Sequence, residues 1–374
     1  MNLSFWECES FFANIDLTVI GSGIVGLNAA ISYKKKYPFK KVLILERGIL
    51  PSGASSKNAG FACFGSPSEI IEDLTKQTED ETFALVEKRW LGLIKLRNML
   101  GDNNIKYENN GSFELFTNEE LFNTCADRIP YLNKHLYSIT KQKDVYGIAD
   151  EKISQFGFNN VNHLIKNRLE GQIDTGEMIK NLILLAQQLG IILINNIGIS
   201  SIHDEGKKVR IETLTQNTFT STKVIVATNG FAKQLFPHLE VNPARAQVLV
   251  TSKIKNLKLK GTFHYDRGYY YFRNIGQRLL IGGGRNLDFK GEETFELGLT
   301  DTIQQSLENL LKTTIIPETE YTVDYKWSGI MGIGTNKTTI VKNLSENVVC
   351  AVRLGGMGVA IGSLIGEEAA DLCF

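Results

Sequence analysis

Gly21-Ser22-Gly23-Ile24-Val25-Gly26 reads G-x-G-x-x-G. The run directly follows an apolar stretch, Asp16 to Ile20, and directly precedes a helix-compatible one, Ile24 to about Tyr37. In that setting Gly21 allows a tight turn, Gly23 lets backbone approach a pyrophosphate, and Gly26 lets helix and strand pack closely. The helix N-terminus adds free N–H groups and a positive dipole end, which suit phosphates. Glu46 lies twenty residues beyond Gly26, at the end of the next apolar run, Val42 to Leu45. A carboxylate there can accept hydrogen bonds from an adenosine ribose. Together these features predict dinucleotide binding over a plain glycine turn, without separating FAD from NAD.

A second small-residue loop follows at once. Gly53-Ala54-Ser55-Ser56-Lys57-Asn58-Ala59-Gly60-Phe61 offers backbone N–H groups and serine hydroxyls that can wrap a pyrophosphate. An NAD enzyme has no need of such a loop so early, so it favours FAD; a flexible surface loop is the alternative. A third glycine cluster, Arg353-Leu354-Gly355-Gly356-Met357-Gly358-Val359, stands between an apolar run and a final helix-compatible stretch. Its glycines admit a flat ligand, and a helix N-terminus aimed at a flavin would favour the anionic reduced form. Alone it also reads as a simple turn. In Tyr269 to Arg273, strand alternation puts Tyr269, Tyr271 and Arg273 on one face and Tyr270 and Phe272 on the other. Aromatic walls with polar tips suit a small amine or acid, although aromatic strands are often core. Arg245 is a weaker candidate and reads rather as an interdomain ion pair.

The elements that position these residues form an α/β rhythm. Strand, helix and strand between Asp16 and Leu45 make the repeating unit of a parallel sheet. From about Ile70 to Leu100 the pattern is helical. The rhythm returns with a helix from Met178 to Leu189, a strand from Ile191 to Ile194, and another from Lys223 to Ala227. Residues 245–285 alternate like strands, and the chain closes on a strand (Val348 to Val352) and a helix (Val359 to Leu372).

At 374 residues the chain exceeds what one core of roughly 250–300 residues supports, so two lobes are expected. The 41 basic and 41 acidic residues cancel, which argues against a phosphate-neutralising nucleic-acid binder. Five scattered cysteines without a C-x-x-C suggest a reduced, cytoplasmic chain, and the five histidines show no metal-ligand spacing. No apolar run approaches the roughly 18–20 residues of a membrane span, and the first residues lack a signal-peptide pattern.

These motifs, in this order, resemble the D-amino-acid oxidase-like superfamily of FAD-dependent oxidoreductases, which includes glycine, sarcosine and γ-glutamylputrescine oxidase-like enzymes. The resemblance covers nearly the whole chain. It rests on DLTVIGSGIVGLNAA, ILERGILPSGASSKNAGF, VIVATNGFA, YYYFRNIGQRLLIGGGRN and WSGIMGIGTNK with VVCAVRLGGMGV. Leu3 to Glu7 is similar to the leader of the putrescine-related branch. The resemblance implies FAD contacts at Gly21 to Gly26, Glu46, Arg47, Ser55, Ser56, Asn58, Ala59, Gly60 and Phe61. It adds Ile199 beside the adenine, Ala227, Thr228 and Asn229 at a turn, and Gly355, Gly356, Met357, Gly358 and Val359 at the pyrimidine edge. Sarcosine oxidases attach FAD through a cysteine in the stretch matching 327–336; none stands there, which implies noncovalent FAD.

Two departures stand out. Met331 occupies the place of the arginine that pairs with a substrate carboxylate in glycine oxidase-like relatives, and Arg353 is the candidate to replace its charge. Met357 stands where sarcosine-type relatives carry histidine. The expected fold is a discontinuous Rossmann-like FAD-binding domain (1–90, 169–237 and 326–374) with a β-rich substrate-binding domain (91–168 and 238–325). The expected reaction is oxidation of a C–N bond in a small amine or amino-acid-like substrate, with Tyr269, Tyr271, Arg273 and Arg353 as substrate-side candidates. Oxygen or another acceptor takes the electrons, with no nucleic-acid partner. The rivals are C–O oxidation on the same fold, a flavin-binding scaffold or partner domain, and an NAD-binding protein.

Overall fold

The computed structural model describes residues 3–373. Met1, Asn2 and Phe374, which the expected domain bounds include, lie outside the described residues.

The strand Ile15–Ile20 lies between Thr218–Val226 and Val42–Leu45, parallel to both. Val348–Val352 and Ile192–Ile194 extend this parallel core outward. Ile340–Asn343 closes one edge antiparallel, and a meander of Ile199–Asp204 and Val209–Thr213 joins the long strand Thr218–Val226. The central strands are continuous apolar runs because both faces of a parallel sheet are covered. On one face sit the helices Ile24–Lys36, Glu79–Leu100, Thr175–Gln188 and Gly358–Asp371. They pack closely because glycines meet backbone: a Cβ on Gly366 would lie 2.7 Å from the Val25 carbonyl oxygen.

The helical stretch expected from Ile70 to Leu100 is two helices, Pro67–Leu74 and Glu79–Leu100. Thr78 ends the continuity. Its hydroxyl accepts from the Glu81 N–H while Glu81 accepts from the Thr78 N–H, a reciprocal cap that starts a new helix. The second helix runs across the expected boundary at 90/91, and its Leu93, Leu96 and Leu100 belong to the core of the first sheet.

The other lobe is an eight-stranded sheet ordered Val323–Ile333, Asn242–Thr251, Arg278–Gly283, Tyr270–Ile275, Thr262–Tyr265, Ser112–Phe116, His163–Asn167 and Tyr146–Ile148. All neighbours are antiparallel except Thr262–Tyr265 beside Ser112–Phe116. Residues 326–333, expected with the FAD-binding segments, pair instead with Asn242–Thr251 in this sheet. One sheet face buries Phe113, Phe263 and Phe272 under the helix Asp301–Leu310. The other faces the first lobe, where Ala59, Val248, Val250 and Leu280 form a small bridging cluster. Among the described residues no helix is long and apolar enough to cross a membrane.

Candidate active site

The glycine fingerprint forms the turn its spacing predicts. Gly21 has φ +103°, and a Cβ there would sit 2.9 Å from the Ala227 carbonyl oxygen. A Cβ on Gly26 would fall 1.9 Å from the Gly21 oxygen. The helix Ile24–Lys36 starts at Gly23, which offers no side-chain cap; instead Ser55 Oγ accepts from the Ile24 N–H at 2.9 Å. The second small-residue loop is thereby tied to the first.

Between the lobes lies a cavity of about 1020 Å³. Gly21, Gly23, Ile24 and Val25 line it, with Glu46 and Arg47 at the end of the second strand. Ser55, Asn58, Ala59 and Phe61 follow, as do Ile199, Ala227, Thr228 and Asn229. Gly355, Gly356, Met357, Gly358 and Val359 complete this wall. Four other candidates stand behind it. Ser22 is fully buried and donates to Glu46. Gly26 packs helix on strand, Ser56 Oγ donates to the Pro51 carbonyl at 2.5 Å, and Gly60 is wedged below Arg273.

The Glu46 carboxylate is already surrounded. Oε2 accepts from the Ser22 N–H and hydroxyl at 3.1 and 2.8 Å, and Oε1 from the Gly48 N–H and Ser52 hydroxyl, both at 2.9 Å. Ribose hydroxyls at Glu46 therefore compete with two serine hydroxyls that can rotate away. Arg47 stacks over Phe231 at 3.5 Å. Asn229 Oδ1 accepts from the Arg353 N–H at 3.1 Å, joining the middle turn to the C-terminal glycine cluster.

The residues present fit a dinucleotide. The glycine positions leave backbone exposed where a Cβ would fill the space, and a helix N-terminus without its own cap opens beside them. Thr228 Oγ1, on the cavity wall, is buried without a protein partner.

Arg273 and Arg353 do not line the cavity. The Arg273 guanidinium donates to the Ala59 carbonyl through Nε and to the Ile173 carbonyl at 3.0 Å through Nη2. Burial pulls it down to about 10, and its work is to hold the loop that carries Ala59 and Phe61. Arg353 donates to the carbonyls of Thr338 and Glu240 at 2.7 and 3.1 Å and to Asn336 Oδ1 at 3.0 Å. Neither side chain reaches the cavity wall, and every nitrogen of each guanidinium already donates to a protein oxygen. Met331, in the position noted above, lines the cavity with an uncharged side chain.

The second lobe's wall of the cavity comes from one row of residues across its sheet. His264 pairs with Glu114 on one side and Tyr271 on the other; Tyr271 pairs with Gly282, Gly282 with Val248, and Val248 with Trp327. Residues directly paired project to the same face. Gly282 has no side chain, so the Tyr271 ring lies over it; a Cβ there would come 2.6 Å from Tyr271 Cε2. His264 and Tyr271 both meet Phe61 edge-on, with centroids 5.3 and 5.6 Å away. Burial pushes the Tyr271 phenol up to about 12. Tyr269 also lines the cavity, from the turn before its strand, beside Arg285. Arg285 stacks on Phe289 at 4.6 Å.

Two carboxylates of the helix Pro67–Leu74 line the cavity; Glu72 is paired with Lys76, and the other is Glu69. Oε2 accepts from the Ser66 N–H at 3.2 Å, and Oε1 accepts from no described group. Burial raises its carboxyl, but Lys337, His264 and Arg89 together outweigh burial and keep it below the usual value. Lys337 pairs with Asp73 at 2.8 Å. His264 is lowered by burial, against the pull of Glu69. Glu69, His264, Lys337 and Arg285 were missed by the sequence reading. A signal existed for His264 alone, which stands directly between Phe263 and Tyr265 in the strand Thr262–Tyr265.

Two more buried carboxyls lie behind the wall. Glu114 accepts from the Ser68 N–H and hydroxyl, and Glu170 from the N–H groups of Phe64 and Gly65 at 2.6 and 2.9 Å. Burial pushes both up to about 7, against an ordinary value of 4.5. Between those values the folded chain holds protons that the unfolded chain has released. Stability therefore falls as pH rises through that window, by up to roughly 1.4 kcal/mol per pH unit for each group. Thermal unfolding from pH 5 to 7.5 should show a falling midpoint, and Glu114→Gln should flatten it. An unchanged slope in the variant would refute the assignment.

Comparison with known proteins follows the same lines. The chain is 23% identical over 383 residues to the probable oxidoreductase OrdL of Haemophilus influenzae, covering 95% of this chain and 82% of that protein. The fold matches L-proline dehydrogenase from P. horikoshii with a TM-score of 0.76 at 16% identity, over 96% of this chain and 93% of that one. It matches glycine oxidase from Geobacillus kaustophilus with a TM-score of 0.76 at 19% identity, over 96% and 94%. The profile of the FAD dependent oxidoreductase family, DAO, matches residues 16–372. With the cavity and fingerprint above, that match identifies the chain as a member of this family, whose cofactor is FAD.

Proposed function

We propose that this FAD-dependent oxidoreductase oxidises a C–N bond in a small amine or amino-acid-like substrate. The observation that carries the reading is Glu69, a carboxylate on the cavity wall with one oxygen unengaged. Such a group suits an ammonium and disfavours a simple hydroxy acid. Arg285, a half-buried guanidinium on the same cavity, suits an acidic group carried by an amino-acid-like substrate.

The Gly21–Gly26 turn, the helix that follows it, Ser55 and the C-terminal glycine cluster would hold the cofactor. Bound FAD supplies the two-electron acceptor for a hydride leaving the carbon next to nitrogen. The chain's own residues bind and orient. Phe61, Tyr271 and Val248 present an apolar surface that excludes water around the reacting carbon. Arg273 fixes the loop beneath Phe61 through the Ala59 and Ile173 carbonyls, which keeps that surface in register.

The test is the visible spectrum of the purified protein during anaerobic addition of amines, amino acids and hydroxy acids. Bleaching by an amine or amino acid is the expected result. Bleaching by hydroxy acids alone would replace the reading with C–O oxidation. Admitting air afterwards reads whether oxygen restores the colour.

A further inference from the structure

His264 lines the cavity, and its two ring nitrogens differ in surroundings. Nε2 is closed off from solvent and has no hydrogen-bond partner. Beneath the ring, Cys63 Sγ, a Glu170 carboxylate oxygen and a His264 nitrogen lie within 4.8 Å of one another, all from buried residues. Glu170 Oε2 is likewise buried without a partner, while Oε1 is held by two backbone N–H groups. Cys63 keeps its thiol proton, donated to the Gly171 carbonyl at 3.8 Å, so on this side the ring meets a sulfur with free lone pairs and a Glu170 carboxyl that accepts once ionised. A proton on Nε2, on the side of that carboxyl and sulfur, leaves the lone pair on Nδ1, which unlike Nε2 is not a buried atom without a partner. In a neutral imidazole the bond made by one nitrogen sets the role of the other. Glu69 stands close enough to pull the ring toward its charged form, which would stabilise an imidazolium made there.

An ammonium substrate must lose a proton before the neighbouring C–H can leave as hydride, because only the neutral nitrogen has a lone pair to form the C=N bond. Resting on the C–N reading above, we infer that His264 Nδ1 is the atom that takes this proton. The N–H bond of the ammonium breaks, an Nδ1–H bond forms, and the electron pair stays on the substrate nitrogen. Glu69 stabilises the resulting imidazolium. Cys63 and Glu170 are positioning residues that set the tautomer. The titratable and charged groups facing the ring are Glu69 from the helix, Glu114 and Tyr271 from the adjoining strands, and Cys63 and Glu170 beneath. Arg89 and Lys337 act on it through Glu69.

One test reads the ring without turnover. In the FAD-loaded protein labelled with ¹⁵N-histidine, His264 is assigned by its loss in His264→Gln. Where that variant does not fold, replacing the other four histidines singly assigns it by difference. A neutral ring at pH 7 with its proton on Nε2 is expected. A charged ring, or a proton on Nδ1, overturns the inference. The second test follows anaerobic flavin reduction by the best amine. His264→Gln should be slowed about 100-fold at pH 7, within the range of general-base catalysis. Near pH 10, where solution supplies the neutral amine, the gap should close to roughly threefold. A gap that is the same at both pH values overturns the inference and leaves amine oxidation standing. Reduction by hydroxy acids alone overturns amine oxidation itself.

Discussion

Gly26→Val is expected to give a chain that retains no FAD. The added Cβ would lie 1.9 Å from the Gly21 oxygen, 3.0 Å from the Gly21 carbonyl carbon and 3.2 Å from Val19 Cγ1. The first two neighbours are backbone, so no rotamer change relieves the clash. Gly21 cannot retreat either, since it is itself tight against Ala227. Overpacking a core costs about 1–3 kcal/mol where side chains can adjust, and here the cost reaches that upper end or passes it. The relief available is to lift the helix Ile24–Lys36 from the strand Ile15–Ile20. That motion destroys the turn and moves the helix N-terminus that would face the phosphates. Visible absorbance after purification, with a thermal melt, checks it. A yellow protein with an unchanged melting midpoint would contradict this packing.

Glu292→Ala should produce the other large loss, in the second lobe. The Glu292 side chain is 1% exposed and that of Arg245 11%. Glu292 accepts from Arg245 Nε and Nη2 at 2.8 and 3.0 Å, and from Gln247 Nε2 at 2.9 Å. The sequence suggested an interdomain role for Arg245. The pair lies instead within the second lobe, joining the strand Asn242–Thr251 to the segment before the helix Asp301–Leu310. Removing the carboxylate leaves a largely buried guanidinium without its bidentate partner, with Glu296 and Asp288 as weaker counter-charges, a loss at the lower end of the roughly 3–5 kcal/mol of a broken buried pair. The same strand carries Ala246 and Val248 on the cavity wall, so the loss reaches the substrate side. Urea denaturation should show the drop. The double variant Arg245→Met, Glu292→Leu should recover most of it, because a well-packed apolar pair often replaces a buried ion pair without penalty. A double variant as unstable as Glu292→Ala would show that the charge is not the cause.

The part of the molecule legible in the sequence is the part built from neighbours in the chain. The strand–turn–helix around Gly21 to Gly26 lies within some twenty residues, and its glycines declare a backbone path that only they can follow. The helix break at Thr78 was equally local, yet continuous helical periodicity on both sides hid it. Alternation from Tyr269 to Arg273 correctly separated Tyr271, on the cavity, from Tyr270 and Phe272, in the opposite core.

Charge assignment was a different matter. Arg273 and Arg353 carried the right chemistry for a carboxylate clamp, and nothing local showed that their nitrogens were already engaged. Their acceptors are carbonyls of Ala59, Ile173, Thr338 and Glu240, up to 214 residues away. The wall residues were hidden for the same reason. Glu69 comes from a helix, Cys63 and Glu170 from loops, and His264 from a sheet strand. Only the tertiary fold brings Glu69, Cys63 and His264 to a shared cavity, with Glu170 behind Cys63 and His264. The sequence by itself determined the glycine turn and the helix start that can receive a dinucleotide's phosphates, because these depend on backbone freedom and a helix end. Tertiary structure alone decided which charges line the cavity, because burial and long-range hydrogen bonds choose which polar groups stay free.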